Sequence, residues 1–126
     1  MAVKTDYWVS GVFHAMDSLD AAAVMKLFGD DPTLRFGNAE PAVGREQVEA
    51  VVAGMFTLVA RLHHEITGVW TGAWAGGEVK SVESDVTYTR HDGSQVGPLP
   101  ATTTLRLEDH RIKHYQIFMD PSPVLA

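Results

Sequence analysis

Asp120 ends the last strand-like segment of this 126-residue chain, where two-residue alternation sets it on one face with Ile112, His114, Gln116 and Phe118. A carboxylate in an apolar pocket has its charged form disfavoured, which raises its proton affinity into the range useful for acid/base chemistry near neutral pH. His64 shares a face with Ile66 and Trp70 and brings an imidazole that titrates near neutrality, so Asp120 and His64 read as an acid/base couple. Asn38 follows Phe36 and offers an amide that both donates and accepts, able to orient water or a carbonyl without titrating. Tyr88 shares the inward alternation of Val82 and Val86, while Glu83 and Asp85 point the other way; a phenol in that position donates to a carbonyl oxygen. Phe36, Trp70, Gln116, Phe118 and Trp8 complete the groups expected to bind substrate, Trp8 from the start of the first helix, and His114 is a secondary candidate. Each principal residue has a structural alternative: Asp120 as the cap of the turn into Pro121, His64 as a hydrogen-bonded wall residue, Asn38 as a turn former, Tyr88 as core. The state of Asp120 separates the two readings. A carboxyl above its ordinary value of about 3.9 marks a dry cavity, and one at or below it marks a cap and favours a protein that binds without reacting.

Other chemistries are removed by what the sequence lacks. Without cysteine there is no disulfide, thiolate ligand or cysteine nucleophile. The six histidines fall at no metal-ligand spacing, and His63 and His64 face opposite ways, so no metal is expected. Gly76-Gly77 joins two strands and does not open a helix, which removes the phosphate-loop and dinucleotide readings, and no cofactor is expected. A net charge of -6 repels phosphate backbones, so nucleic acid is not an expected partner. No apolar run reaches the roughly 18 residues that cross a membrane, and the N-terminal Met1 to Trp8 lacks a basic start and apolar stretch. A cytoplasmic protein without membrane contact is expected.

The elements that must position these residues follow from hydrophobic periodicity. Val9, Val12, Phe13 and Met16 mark one helix face after Thr5 or Asp6 as N-cap. Asp20 caps a brief second helix with Val24, Leu27 and Phe28 in its stripe, ended by Gly29 and the turn Asp30-Asp31-Pro32. Thr33 to Asn38 is a short strand, and a third helix starts near Arg45 with Val48, Val51, Val52, Met55, Val59 and Leu62 in period. The period then falls from 3.6 to 2. Leu62, His64, Ile66, Trp70 and Trp74 alternate on one face, Gly76-Gly77 and Asp92-Gly93 are turns, and Glu78 to Arg90, Gln95 to Glu108 and Arg111 to Met119 complete four long antiparallel strands. Pro98 and Pro100 mark an edge or a bulge, and Pro121-Ser122-Pro123 an extended tail. Helices first and a meander afterwards argue for a single α+β domain over residues 1–126, with the sheet curling around a hollow that suits a small ligand.

This order of elements resembles the nuclear transport factor 2-like superfamily in its SnoaL-like branch. The likeness is carried by Phe36-Gly37-Asn38-Ala39-Glu40-Pro41 before Gly44-Arg45-Glu46, by His64-Glu65-Ile66 with Val69-Trp70, by Tyr88-Thr89-Arg90 before Asp92-Gly93, and by Arg111-Ile112 leading to Phe118-Met119-Asp120-Pro121. These stretches span nearly the whole chain. The resemblance implies a cone-shaped, curved antiparallel sheet with three helices from the N-terminal half covering its concave face, a deep apolar cavity, and a homodimer through the outer sheet face. Similar proteins include polyketide cyclases, ketosteroid isomerases, limonene epoxide hydrolases, scytalone dehydratase and non-catalytic binding domains, so one fold hosts several chemistries. It also implies acid/base work for Asp120, which matches an aspartate of the cyclases and epoxide hydrolases. Phe36 stands where the epoxide hydrolases have a tyrosine, and Glu83-Ser84-Asp85 lacks the arginine of their arginine-spacer-aspartate pair, so their route is not expected here. His110 stands where a glycine usually follows the aspartate of the last turn. The expected activity is that of a cofactor-independent acid/base enzyme of cyclase, isomerase, dehydratase or hydrolase type, acting on a mostly apolar carbonyl or hydroxyl compound. The alternative is a non-catalytic module of the same fold that binds a small ligand or dimerises.

Overall fold

Asp6 accepts the backbone N–H of Val9 at 3.0 Å and so caps α1, Tyr7–Asp17. The computed structural model describes residues 6–125, and Thr5, the other expected cap, lies outside them. Asp20 caps α2, Ala21–Met25, in the same way through Ala23. Phe28, read as part of that helix, instead begins β1, Phe28–Phe36. The cause lies far along the chain: the Arg45 guanidinium donates to the carbonyl oxygens of Met25, Phe28 and Gly29 at 2.9–3.0 Å, satisfying groups that a longer helix would have paired. Asp30 and Asp31 therefore lie in a strand and not in a turn, 3.6 Å from Arg111 and Lys113 respectively.

After the two-residue strand β2, Ala42–Val43, comes α3, Arg45–Thr57. It ends earlier than its hydrophobic period: Val59 is buried beyond the helix, and Leu62 belongs to β3, Arg61–Trp74. The remaining strands are β4, Gly77–Thr89, β5, Gln95–Glu108, and β6, Arg111–Phe118; the expected extended tail is a short helical turn, α4, Ser122–Leu125. All the strands join one six-stranded sheet in the order β2-β1-β6-β5-β4-β3, antiparallel throughout except where β1 runs parallel to β6. Val9, Val12, Phe13 and Met16 of α1 and Val48, Val52 and Phe56 of α3 close over Val82, Leu105, Ile112 and Tyr115 to form the core. Each such side chain withdrawn from water contributes about 1.5–3 kcal/mol.

Three bulges in the antiparallel ladders, with a further register shift between Phe28 and Thr33 of β1, bend the sheet into its α+β cone. On β3, Ile66 pairs with Ser84 and Gly68 with Glu83, leaving Thr67 as the extra residue. On β5, Gly97 and Pro98 stand between Leu99 and Val96 where β4 has only Thr87, so Pro98 sits at a bulge, and Pro100, paired with Asp85, lies in the stretch of β5 before Thr102 that has no partner on β6, a local edge. Gly97 has φ +116°, and a Cβ there would lie 2.5 Å from the Val86 carbonyl oxygen, so only glycine fits. On β6, Ile112 pairs with Leu107 and His114 with Arg106, leaving Lys113 as the extra residue. Each inserted residue reverses the faces of everything beyond it.

Candidate functional site

The reversal at Lys113 turns Tyr115, Ile117 and Met119 toward the concave face and sends Gln116, Phe118 and Asp120 away from it. The shared face inferred for Ile112, Gln116, Phe118 and Asp120 is thereby corrected. Asp120 is exposed and accepts the backbone N–H of Ser122 at 3.0 Å, which, with the Ser122 side chain, holds its carboxyl below the ordinary carboxylate range. That is the capping arrangement. Phe118 is 55% exposed on the outer face, and Gln116 reaches the Gly37 and Ile117 carbonyl oxygens at 3.4 Å. Trp70 lies beyond the Thr67 bulge and is likewise 55% exposed, while Val69 takes the inward place. Asn38 is exposed in the turn after Gly37. Trp8 packs on the core but does not line the cavity, and His114 is engaged away from it, with Nδ1 2.6 Å from Thr33 Oγ1 and its ring edge-on to Trp74.

His64, Tyr88 and Phe36 do converge, around a cavity of about 30 Å³ between the sheet and the helices. Met16 of α1, Met55 of α3 and Met119 beyond β6 close it, and Val86, Ala101, Ile117 and Leu62 make its walls apolar. As packed it has room for one or two water-sized groups, smaller than the deep cavity expected. Three of its wall residues are methionines, whose unbranched side chains re-pack readily around a larger guest. The polar groups are the hydroxyls of Tyr88, Tyr115 and Thr103 and the His64 ring. Tyr88 donates to the thioether of Met119, at 3.3 Å, and burial pushes its phenol up to about 12. Burial raises the Tyr115 phenol further, with the nearby Asp17 charge adding to the effect. Both phenols are therefore neutral hydrogen-bond donors at any physiological pH.

His64 is fixed by a residue that the sequence did not single out. Asp17, the last residue of α1, accepts the backbone N–H of His64 at 3.0 Å on Oδ2, and its Oδ1 lies 2.5 Å from Nδ1 of the His64 ring. The Phe13 ring packs against it, tilted by 53° with centroids 4.8 Å apart. With Nδ1 engaged, Nε2 is the ring nitrogen left for chemistry, and a carboxylate on Nδ1 selects the tautomer and fixes the ring's orientation. The arrangement can take a proton from, or give one to, a bound molecule whose oxygen accepts from the phenols. Among the described residues no three histidine, aspartate or glutamate side chains gather as a metal site. Asp17, Tyr115 and Thr103 were missed in the sequence, and only Asp17 left a trace there: a carboxylate at a helix C-terminus runs against the helix dipole and so calls for a partner.

A family model described as SnoaL-like domain matches residues 9–115. The chain belongs to the SnoaL-like domain family. Solved structures agree in fold. A protein with a ketosteroid isomerase-like fold from Catenulispora acidiphila, in complex with trimethylamine, is 21% identical over 97% of this chain and 92% of its own, with a TM-score of 0.79. A SnoaL-like proposed polyketide cyclase from Jannaschia is 21% identical over 93% of this chain and 88% of its own, at 0.73. A proposed dehydratase of the NTF2-like family from Streptomyces avermitilis is 12% identical over 89% and 90%, at 0.74. No curated protein matches the sequence. Among the described residues of this SnoaL-like domain no helix is long and apolar enough to cross a membrane.

Proposed function

We propose that this SnoaL-like domain is a cofactor-independent acid/base enzyme acting on a small, mostly apolar compound with a carbonyl or hydroxyl oxygen. The observation that carries the reading is the Asp17 carboxylate on Nδ1 of His64 at 2.5 Å, at the wall of an apolar cavity. His64 is the acid/base, Asp17 orients it, and Tyr88 and Tyr115 donate to the ligand oxygen as negative charge develops there. Asp120, the acid/base expected from the sequence, has no part in this constellation because it caps a solvent-exposed turn. The glutamate at position 83, where the arginine-spacer-aspartate pair has its arginine, and the phenylalanine at position 36 favour proton transfer on carbon over epoxide opening.

Proton abstraction next to a carbonyl is testable without the natural substrate. Cyclopentanone and 2-butanone incubated with the protein in deuterium oxide are expected to gain deuterium at the α carbons faster than in buffer. His64→Gln is expected to reduce the enzymatic rate by about 10²-fold or more, Asp17→Asn to reduce it less, and Asp120→Asn to leave it unchanged. Loss of exchange in Asp120→Asn with retention in His64→Gln would return the role to Asp120.

The second reading, a module that binds a small ligand without reacting, is favoured by the small cavity, by the capping state of Asp120, and by the trimethylamine held by the Catenulispora protein. Amide shifts at Thr103 and Tyr115 on ketone addition, with no exchange in the wild type, are the result that establishes it over the enzyme.

A further inference from the structure

Adjacent residues of a strand point to opposite faces, and Asp17 touches both of a neighbouring pair. On the cavity side its Oδ1 meets Nδ1 of His64, whose side chain is 11% exposed. On the other side its Oδ2 lies 4.0 Å from Nδ1 of His63, whose side chain is 72% exposed. His63 lines an open groove of about 550 Å³ with Ser18, Arg61 and Gln95, and Asp17 reaches into the same groove. Leu62 is common to groove and cavity and forms the wall between them. The ring, packed against Phe13 and only 11% exposed, needs a route by which its protons equilibrate with water, and among the described residues Asp17 is the carboxylate bonded to it.

We infer that His63 is a proton-relay residue: the path His64, Asp17, His63 connects the closed cavity to solvent and resets the protonation of His64 between turnovers. The inference rests on the acid/base reading of His64. When a ligand proton arrives on Nε2 of His64, the Nδ1 proton passes to the Asp17 carboxylate and leaves a neutral imidazole in its other tautomer. The neutral Asp17 carboxyl gives that proton to Nδ1 of His63, across a 4.0 Å gap that one groove water or a small side-chain rotation closes. The His63 imidazolium then loses its Nε2 proton to bulk water, so Asp17 is again a carboxylate and His63 again neutral. The reverse sequence returns a proton inward when His64 donates Nε2–H to product, which restores the first tautomer. The route serves a site that stays closed to water while its acid/base group exchanges.

The proton between His64 and Asp17 can be followed directly, as a low-field proton NMR resonance of the full chain that His64→Gln removes and so assigns. His63→Gln is expected to slow exchange of that proton with water by about tenfold or more, in a residue exposed enough that the fold is undisturbed. Imidazole added to the solution is expected to restore the exchange by delivering protons to Asp17 from the groove. If the resonance is exchanged away in the wild type and emerges in His63→Gln, the relay is likewise supported. Equal exchange in both proteins, slowing that imidazole does not reverse, or a resonance absent from both overturns the relay. None of these outcomes bears on deuterium incorporation into ketones, so failure of the relay and failure of the acid/base reading are separable.

Discussion

Asp17 stands at the C-terminal end of α1, where the helix dipole opposes a negative charge by about 0.3–1 kcal/mol. Two hydrogen bonds to His64, one from the backbone N–H and one with the ring, offset that opposition and explain why a carboxylate is held there. Tyr115 is the complementary case. It lines the cavity, and burial and the Asp17 charge both disfavour the phenolate, so its hydroxyl stays protonated. Ser84 has no such use: it is 3% exposed, and its Oγ is buried with no hydrogen-bond partner among the described residues. A buried hydroxyl without a partner costs about 1–3 kcal/mol. Ser84→Ala is therefore expected to raise stability by about 1 kcal/mol, read as an increase of about 2–5 °C in Tm. A fall in Tm would mean that the hydroxyl is satisfied by an ordered water and that this part of the sheet is wet.

Elements place these residues, and most of the elements were legible. The limits of β5, Gln95–Glu108, follow from alternation and turn residues alone, and Asp6 and Asp20 announce the helices they cap. The faces were less legible than the elements, because alternation carries no mark of an inserted residue: Thr67 and Lys113 look like ordinary members of their strands, yet each reverses the side chains that follow. The turn at Asp109-His110 forms despite the absence of glycine, with φ 53° and 62°, and the aim of Asp120 changes at Lys113 instead. The Asp17–His64 pair joins positions 47 apart, and no local pattern reports such a meeting. A second long-range joint ties α1 to the sheet. Lys80 of β4 donates to Asp6 Oδ2 at 2.7 Å, and this bond, more than the cap bond from Val9, holds the Asp6 carboxyl below its ordinary value of 3.8. A carboxyl lowered on folding contributes stability above its unfolded value and loses it as pH falls through the folded one. Asn keeps the cap but not the charge, so Asp6→Asn is expected to cost about 1 kcal/mol near pH 7. The difference should close as both proteins are taken from pH 5 into the range below 3.8. A Tm gap that stays constant with pH would assign the effect to packing.

At the scale of the whole molecule, the convex side of the sheet is the surface left without a helix. Phe118 on β6 pairs with Thr102 on β5, Thr102 with Glu83 on β4, and Glu83 with Gly68 on β3. The next row runs from Gln116 through Thr104 and Ser81 to Trp70. Phe118 and Trp70, each 55% exposed, thus stand at opposite sides of a band of Thr102, Thr104, Ser81, Gln116, Gly68 and the exposed Glu83 that spans four strands. The Trp70 ring lies back over Gly68, where a Cβ would come within 2.5 Å of it, so the indole presents a flat face outward and does not project freely. Small and polar residues framed by two aromatic anchors make a surface that can meet a copy of itself about a two-fold axis, provided that Glu83 finds a donor across the axis, since an interface of that symmetry uses the same patch twice. We propose that a second copy of this chain covers the convex face. The 13.8 kDa chain is then expected to sediment at twice its mass at micromolar concentration, and Trp70→Glu to shift it to the single-chain mass while leaving the unfolding free energy of the isolated chain within about 0.5 kcal/mol of its unsubstituted value. A wild type that sediments at 13.8 kDa would show that the face remains in water, and a Trp70→Glu dimer would move the interface to the free edge of β3.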